Sequence, residues 1–136
     1  MVLPAGLCAA ARVPPVRAAS PALAGRLNQT RIWAFHNADD DRVPVNASRH
    51  MVSAVVTARG LEPHLRRSRT YAPVRTTAGM QMRVEAIESW LRRDAYRRGH
   101  GAGRFGELRY TEYLRGGHDA WTRAAKDARL AKWALG

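Results

Sequence analysis

Residues 31–45, RIWAFHNADDDRVPV, decide the predicted fold. Residues 32–35 form a short apolar run with β-branched and aromatic side chains, and turn-forming residues follow it, which favours a strand. Three consecutive acids come next, Asp39, Asp40 and Asp41, and a helical pattern begins after the following proline. Strand, acidic loop and helix is an order typical of α/β proteins, whose functional groups gather at the carboxyl ends of strands. A solvated acidic turn is the alternative interpretation of the same residues.

Two further segments carry clear periodic patterns. Residues 46–59 place apolar side chains at helical spacing, with Asn46 as the N-cap and Gly60 beyond the last turn, so a helix is predicted. Residues 108–114, LRYTEYL, alternate and are rich in Tyr and Thr, so a second strand is predicted. A glycine turn follows, and residues 119–135 are predicted to form a terminal helix.

The middle of the chain is less regular. Residues 61–79 contain two prolines and no clean period, so a loop is predicted. Residues 81–98 carry an apolar stripe at helical spacing, which predicts an amphipathic helix that packs on the core or, alternatively, docks on a membrane surface or a partner. Residues 101–106 match G-x-G-x-x-G, but they precede a strand instead of following one, so no dinucleotide cofactor is expected.

Composition limits the classes of protein that fit. The chain has 136 residues, 46% of them hydrophobic, which is enough for one small domain with a core. Cys8 is the single cysteine, so a disulfide framework and a cysteine-based metal site are excluded. No apolar run reaches the roughly 18 residues that a transmembrane helix needs. The Ala- and Pro-rich first 20 residues lack the charge order of a secretory signal, so a cytoplasmic location is favoured over secretion.

The net charge of +12 is concentrated in the middle of the chain. Residues 61–106 contain ten arginines and four acids, a net charge of +6, whereas residues 1–60 and 107–136 carry +4 and +2. A basic balance of this size is typical of proteins that contact nucleic acid, an anionic surface or an acidic partner. Few aromatic side chains accompany these arginines, so nucleic acid is the less favoured partner.

Two loops together carry a family resemblance. The first contains His36, and Asp40 follows it with Val-Pro three residues later; the second contains Gly117-His118 with Trp121 three residues beyond. They resemble the C-terminal half of an α/β-hydrolase of the esterase and peptidase-like branch, which includes phospholipase/carboxylesterases, feruloyl esterases and dienelactone hydrolases. In that branch one loop supplies the acid of a catalytic triad and the other supplies its histidine.

The resemblance implies a partial α/β-hydrolase fold with two or three parallel strands, flanking helices and a helical insertion. Residues 1–60 would supply two strands, one of them at 1–7, and a helix; residues 61–106 would form the basic insertion; residues 107–136 would supply the last strand, the histidine loop and the terminal helix. Asp40 would be the triad acid and His118 the base, because a histidine base needs a carboxylate to hold its tautomer. The implied substrate is a small ester or acyl compound, with no cofactor and no metal.

Three departures from the family pattern bear on activity. None of the serines lies in a G-x-S-x-G elbow, which is expected upstream of this chain, and Cys8 is a poor substitute because Pro14 would break a helix after it. Asn37 stands where the family has glycine, and residues 61–106 match no family segment, so they could be a lid-like insertion or unrelated sequence. We therefore expect little activity from the chain alone. The alternative function is a basic binding module built on residues 61–106; the substrate and the oligomeric state are not predicted.

Geometry provides a direct check on the resemblance. Loops that follow neighbouring parallel strands leave the sheet from the same edge, with the strands roughly 4.8 Å apart. His118 should therefore lie within hydrogen-bond distance of a carboxylate, and Asp40 is favoured over Asp39 and Asp41. The inserted helix at 81–98 should lie outside the sheet.

Overall fold

The structure is a computed structural model that describes residues 26–27, 29–91 and 106–135. The predicted strand at 1–7, Cys8, residues 92–98 and most of the glycine motif at 101–106 lie outside the described residues. The elements in chain order are β1 (Ile32–Asn37), α1 (Val45–Ala58), a 3-10 turn (Glu62–His64), β2 (Leu65–Thr76), β3 (Gly79–Leu91), β4 (Leu108–Tyr113), α2 (Trp121–Lys126) and α3 (Ala128–Leu135).

The four strands form one mixed sheet in the order β1-β4-β3-β2. β1 and β4 are parallel, with Ile32 opposite Leu108 and Asn37 opposite Tyr113. β3 is antiparallel both to β4 and to β2. The prediction of two neighbouring parallel strands in an α/β protein is therefore confirmed, and both loops of interest follow the carboxyl ends of that pair.

Helices cover both faces of the sheet. Ile32 and Ala34 of β1 pack against Val55 and Val56 of α1 on one face. Side chains of the alternate positions point to the opposite face, where Trp33 joins the core cluster that contains Ala124 of α2 and Trp133 of α3. A strand that is buried on both faces is apolar almost throughout, which is why residues 32–35 form a continuous apolar run.

The predicted inserted helix is wrong, and so is the predicted loop before it. Residues 65–76 and 79–91 pair as a β-hairpin that extends the sheet beyond β4. Thr70 pairs with Ala86 and Tyr71 with Val84, so a bulge leaves Glu85 without an opposite residue. After the bulge, residues 86–91 carry apolar side chains on both faces of the sheet, with Ala86 in one core cluster and Leu91 in the other, and their spacing imitates a helical period.

The predicted helices at 46–59 and 119–135 need smaller corrections. α1 begins directly after Pro44, and Asn46 lies inside the helix instead of serving as its N-cap. Gly60 adopts φ +65°, which confirms its place beyond the helix end. The terminal helix is split in two because Asp127 has an extended backbone between α2 and α3. None of the helices in the described ranges is both long enough and apolar enough to cross a membrane.

Candidate functional site: an aspartate–histidine pair between two strand ends

The loop after β1 wraps its backbone around the Asp40 carboxylate. The Asp40 N–H donates to the carbonyl oxygen of Asn37 at 3.2 Å, which turns the chain as the strand ends. Oδ1 of Asp40 then accepts hydrogen bonds from the backbone N–H groups of Arg42 and Val43, both at 2.9 Å. The side chain is only 4% exposed. These contacts within its own loop hold the Asp40 carboxylate in place, in addition to its contacts with histidines.

Glycines shape the loop after β4 and bring it against the first loop. Gly116 and Gly117 have φ values of +147° and +60°, which favour glycine. A Cβ atom on Gly116 would lie 2.6 Å from the Asn37 amide nitrogen, so a larger residue would not fit. The same amide nitrogen donates to the Gly117 carbonyl at 2.9 Å, so Asn37 joins the two loops.

His118 lies against Asp40, as the resemblance predicts. Its Nδ1 atom is 2.9 Å from Oδ2 and 3.2 Å from Oδ1 of Asp40. Asp39 is used differently, since it accepts hydrogen bonds from the N–H groups of Gly116 and Gly117 at 3.2 and 2.9 Å. Asp41 is exposed to solvent. The three consecutive acids thus have distinct positions, and Asp40 is the one that contacts the histidine.

No family model, curated protein or solved structure matches this chain. The geometry of the site indicates what chemistry it can support. A carboxylate can only accept hydrogen bonds, so the short contact assigns the ring proton of neutral His118 to Nδ1. Nε2 is then the basic nitrogen of the ring. Trp121 contacts the ring edge-on, with centroids 5.4 Å apart, and helps to fix its plane.

The charge on Asp40 is maintained in spite of its burial. Burial by itself would raise its pKa, but hydrogen bonds from the Val43 N–H, from His118 and from the Arg42 N–H outweigh that effect and lower it. The pKa of Asp39 is also lowered, chiefly by the hydrogen bond from the Gly117 N–H, which exceeds the opposing effect of burial. Both carboxylates are therefore ionised at neutral pH, and Asp40 offers His118 a fixed negative partner.

A second histidine, His36, contacts the same carboxylate, and the sequence-based prediction missed its role. Its Nε2 atom lies 2.9 Å from the Val43 carbonyl oxygen and 3.3 Å from Oδ2 of Asp40. The carbonyl only accepts, so Nε2 carries the proton and Nδ1 accepts from the Ser48 hydroxyl at 2.6 Å. The signal available in the sequence was a histidine at the end of a predicted strand, four residues before an acid.

A separate polar cluster lies on the α1 face of the sheet. Arg49 donates to both oxygens of Glu112, at 2.9 and 2.6 Å, and the Tyr110 hydroxyl donates to Oε2 at 3.0 Å. The Arg49 hydrogen bonds are the main cause of a lowered Glu112 pKa. This cluster lines a cleft of about 590 Å³ between α1 and strands β2 to β4. Asp40 and His118 lie outside the lining of that cleft.

The described serines all have positions away from an elbow. Ser48 hydrogen-bonds His36, Ser53 and Ser89 line the cleft, and Ser68 lies in β2. No group of three or more His, Cys, Asp and Glu side chains in the described ranges is arranged to hold a metal ion. The contact of His118 with Asp40 gives the site a base whose orientation is held by a carboxylate.

Proposed function

We propose that Asp40 and His118 are the acid and the base of a hydrolase catalytic triad that acts on a small carboxylic ester or related acyl substrate. The 2.9 Å contact between the Asp40 carboxylate and Nδ1 of His118 supports this most directly. Its setting supports it too, because the two residues follow the carboxyl ends of neighbouring parallel strands, where α/β proteins concentrate their catalytic groups.

Each residue has a defined role in the proposed reaction. Nε2 of His118 takes the proton from a nucleophile hydroxyl as its oxygen attacks the substrate carbonyl carbon. The ring is then a cation, which Asp40 stabilises while holding its orientation. His118 next gives that proton to the departing alcohol, and water repeats the cycle to release the acid. The nucleophile is assigned to a residue outside the described segments.

The contrast between the two histidines on Asp40 also supports the proposal. His36 is fully engaged on both ring nitrogens and its side chain is 3% exposed, which suits a structural role. The His118 side chain is 16% exposed and its Nδ1 faces the carboxylate. A base has to reach a reacting group, so His118 is the histidine that suits catalysis.

Affinity alkylation tests the role of His118 without requiring the nucleophile. A small α-bromoacetyl ester resembles the proposed substrate and alkylates a basic imidazole nitrogen, and peptide mass spectrometry locates the product. We expect His118 to be modified at Nε2 at least about tenfold faster than exposed His50, and Asp40→Asn to remove that advantage. Asp41→Asn is the matched control, since Asp41 is exposed, and it should preserve that advantage. Equal rates at both histidines in the unmodified protein would refute the proposal.

Ester turnover provides the second test. Because none of the described residues is placed as the nucleophile and the sequence contains no G-x-S-x-G elbow, we expect the purified chain to hydrolyse p-nitrophenyl acetate little faster than buffer. Any turnover above buffer should disappear in His118→Ala and remain in His50→Ala. Turnover that survives in His118→Ala would place the chemistry elsewhere.

A further inference from the structure

β2 is an edge strand of the sheet. Its 12 residues pair with β3 along one side, and no described strand pairs with the other side. An edge of this kind presents backbone N–H and C=O groups that can hydrogen-bond to an added strand. Extended peptides use such edges in many complexes, with the backbone providing affinity and the side chains providing specificity.

The positive charge of this edge has no acidic partner among the described residues. Arg66, Arg67 and Arg69 are exposed, β2 contains no acid, and none of the three forms an ion pair within the described part of the chain. Several arginines elsewhere in the described residues form ion pairs with acids. For example, Arg49 pairs with Glu112, and Arg129 pairs with Glu88. Arg66, Arg67 and Arg69 are thus a local positive charge that the described residues leave without an ion-pair partner.

The spacing of these arginines matches a strand better than a flat anionic surface. Arg67 and Arg69 lie on the same face of β2, about 6.8 Å apart along it, because alternate residues share a face. Acidic residues at alternate positions of an added strand would have the same repeat at about 4.8 Å from β2.

Pro73 limits the extent of such pairing. It has no N–H to donate, which is tolerated in an edge strand but interrupts an added ladder. The register of β2 with β3 also shifts between Thr70 and Tyr71. Residues 65–70 are therefore the regular part of the edge, and all three arginines lie within them.

We propose that the edge at residues 65–70 binds an extended acidic peptide segment as a fifth strand of the sheet. Acids at alternate positions of the peptide pair with Arg67 and Arg69, and backbone hydrogen bonds fix its register. A nucleic acid fits less well, because Tyr71 is the one exposed aromatic side chain that the described residues of β2 and β3 offer for stacking.

Fluorescence anisotropy with defined probes tests this proposal on the full chain. The main probe is a labelled, end-blocked peptide of about eight residues that alternates glutamate and valine. A lysine–valine peptide reverses its charge, and a glutamate–valine peptide with N-methylated backbone keeps the charge but cannot pair. Oligothymidine and anionic phospholipid vesicles represent the competing partners.

Two double variants make the same change of charge at different places. Arg67→Glu with Arg69→Glu lies inside the proposed edge, and Arg75→Glu with Arg83→Glu lies nearer the hairpin turn. Circular dichroism and the melting midpoint check that each variant is folded. If the first pair fails to fold, Arg67→Gln with Arg69→Gln replaces it.

We expect the glutamate–valine peptide to bind at least about tenfold more tightly than either control peptide. The Arg67 and Arg69 variant should lose about tenfold or more in affinity, and the Arg75 and Arg83 variant should remain within about threefold. Equal losses in both variants, equal binding of the N-methylated peptide, or no binding of the acidic peptide would overturn the proposal. So would tighter binding of oligothymidine or of vesicles.

Discussion

The Asp40 corner, formed by residues 36–40 and 116–118, and the β2–β3 hairpin use charge in opposite ways. In the corner, one carboxylate is surrounded by two backbone N–H groups and two histidines. On the hairpin, arginines are exposed and have no acidic partner among the described residues. A charge that is satisfied internally supports the fold and prepares a fixed site, whereas an unsatisfied surface charge contributes little to the fold and remains open to a partner.

Removing the Asp40 carboxylate should have the largest effect on stability. Asp40→Ala leaves the N–H groups of Arg42 and Val43 and Nδ1 of His118 without their acceptor. We expect a loss of about 3 kcal/mol in the free energy of unfolding, because each orphaned buried group costs about 1–3 kcal/mol. Urea denaturation measures it. Asp41→Ala is the control and should change stability by less than about 0.5 kcal/mol, as exposed sites do.

The Arg49–Glu112 pair tests the same contrast through pH. Arg49 lowers the pKa of Glu112 below its ordinary value of 4.5, so the ionised form stabilises the fold. That stabilisation is complete above the unfolded pKa and is lost as the pH falls through the lower folded pKa. The wild-type chain should therefore exceed Glu112→Gln in stability by about 1–2 kcal/mol at neutral pH, and the gap should narrow below about pH 4.5. A gap that is constant from about pH 7 to about pH 3 would contradict this account.

Neutralising the hairpin arginines should have the smallest effect. Replacing Arg66, Arg67 and Arg69 by Gln removes charges that form no ion pair with described residues. We expect the free energy of unfolding to change by less than about 0.5 kcal/mol, in either direction. Thermal denaturation at low and high salt measures this. A loss of several times that size would show that these arginines support the fold and would weaken the comparison.

The two regions also differ in how far sequence predicts them. Short-range signals define the corner: an apolar run that ends in turn residues, a glycine pair before His118, and an acid in the loop after a strand. These features depend on neighbours along the chain, so the two strands could be predicted from them, whereas the contact of Asp40 with His118 was expected only from the family resemblance. The role of Asn37 in joining the loops could not be predicted, because its partner Gly117 is distant in sequence.

The hairpin depends on interactions that the local sequence does not reveal. Residues 65–76 become a strand because they pair with residues 79–91, and this pairing overrides a helix-like apolar spacing. The apolar side chains of residues 86–91 pack on both faces of the sheet, so this segment lacks the alternation that would have indicated a strand. In the same way, the Arg49–Glu112 pair joins α1 to β4 across the sheet face, and periodicity alone does not predict it.

Heteronuclear NMR of the His118 ring nitrogens tests the central claim most directly, because it identifies which nitrogen carries the proton in neutral imidazole. We expect Nδ1 of His118 to be protonated in the wild-type chain, with this proton hydrogen-bonded to Asp40. Asp40→Asn should abolish the preference for that tautomer, and replacement of the exposed neighbour, Asp41→Asn, should leave it unchanged. A wild-type His118 protonated at Nε2, or a tautomer that is indifferent to Asp40→Asn, would contradict the assignment of these two residues as an acid–base pair.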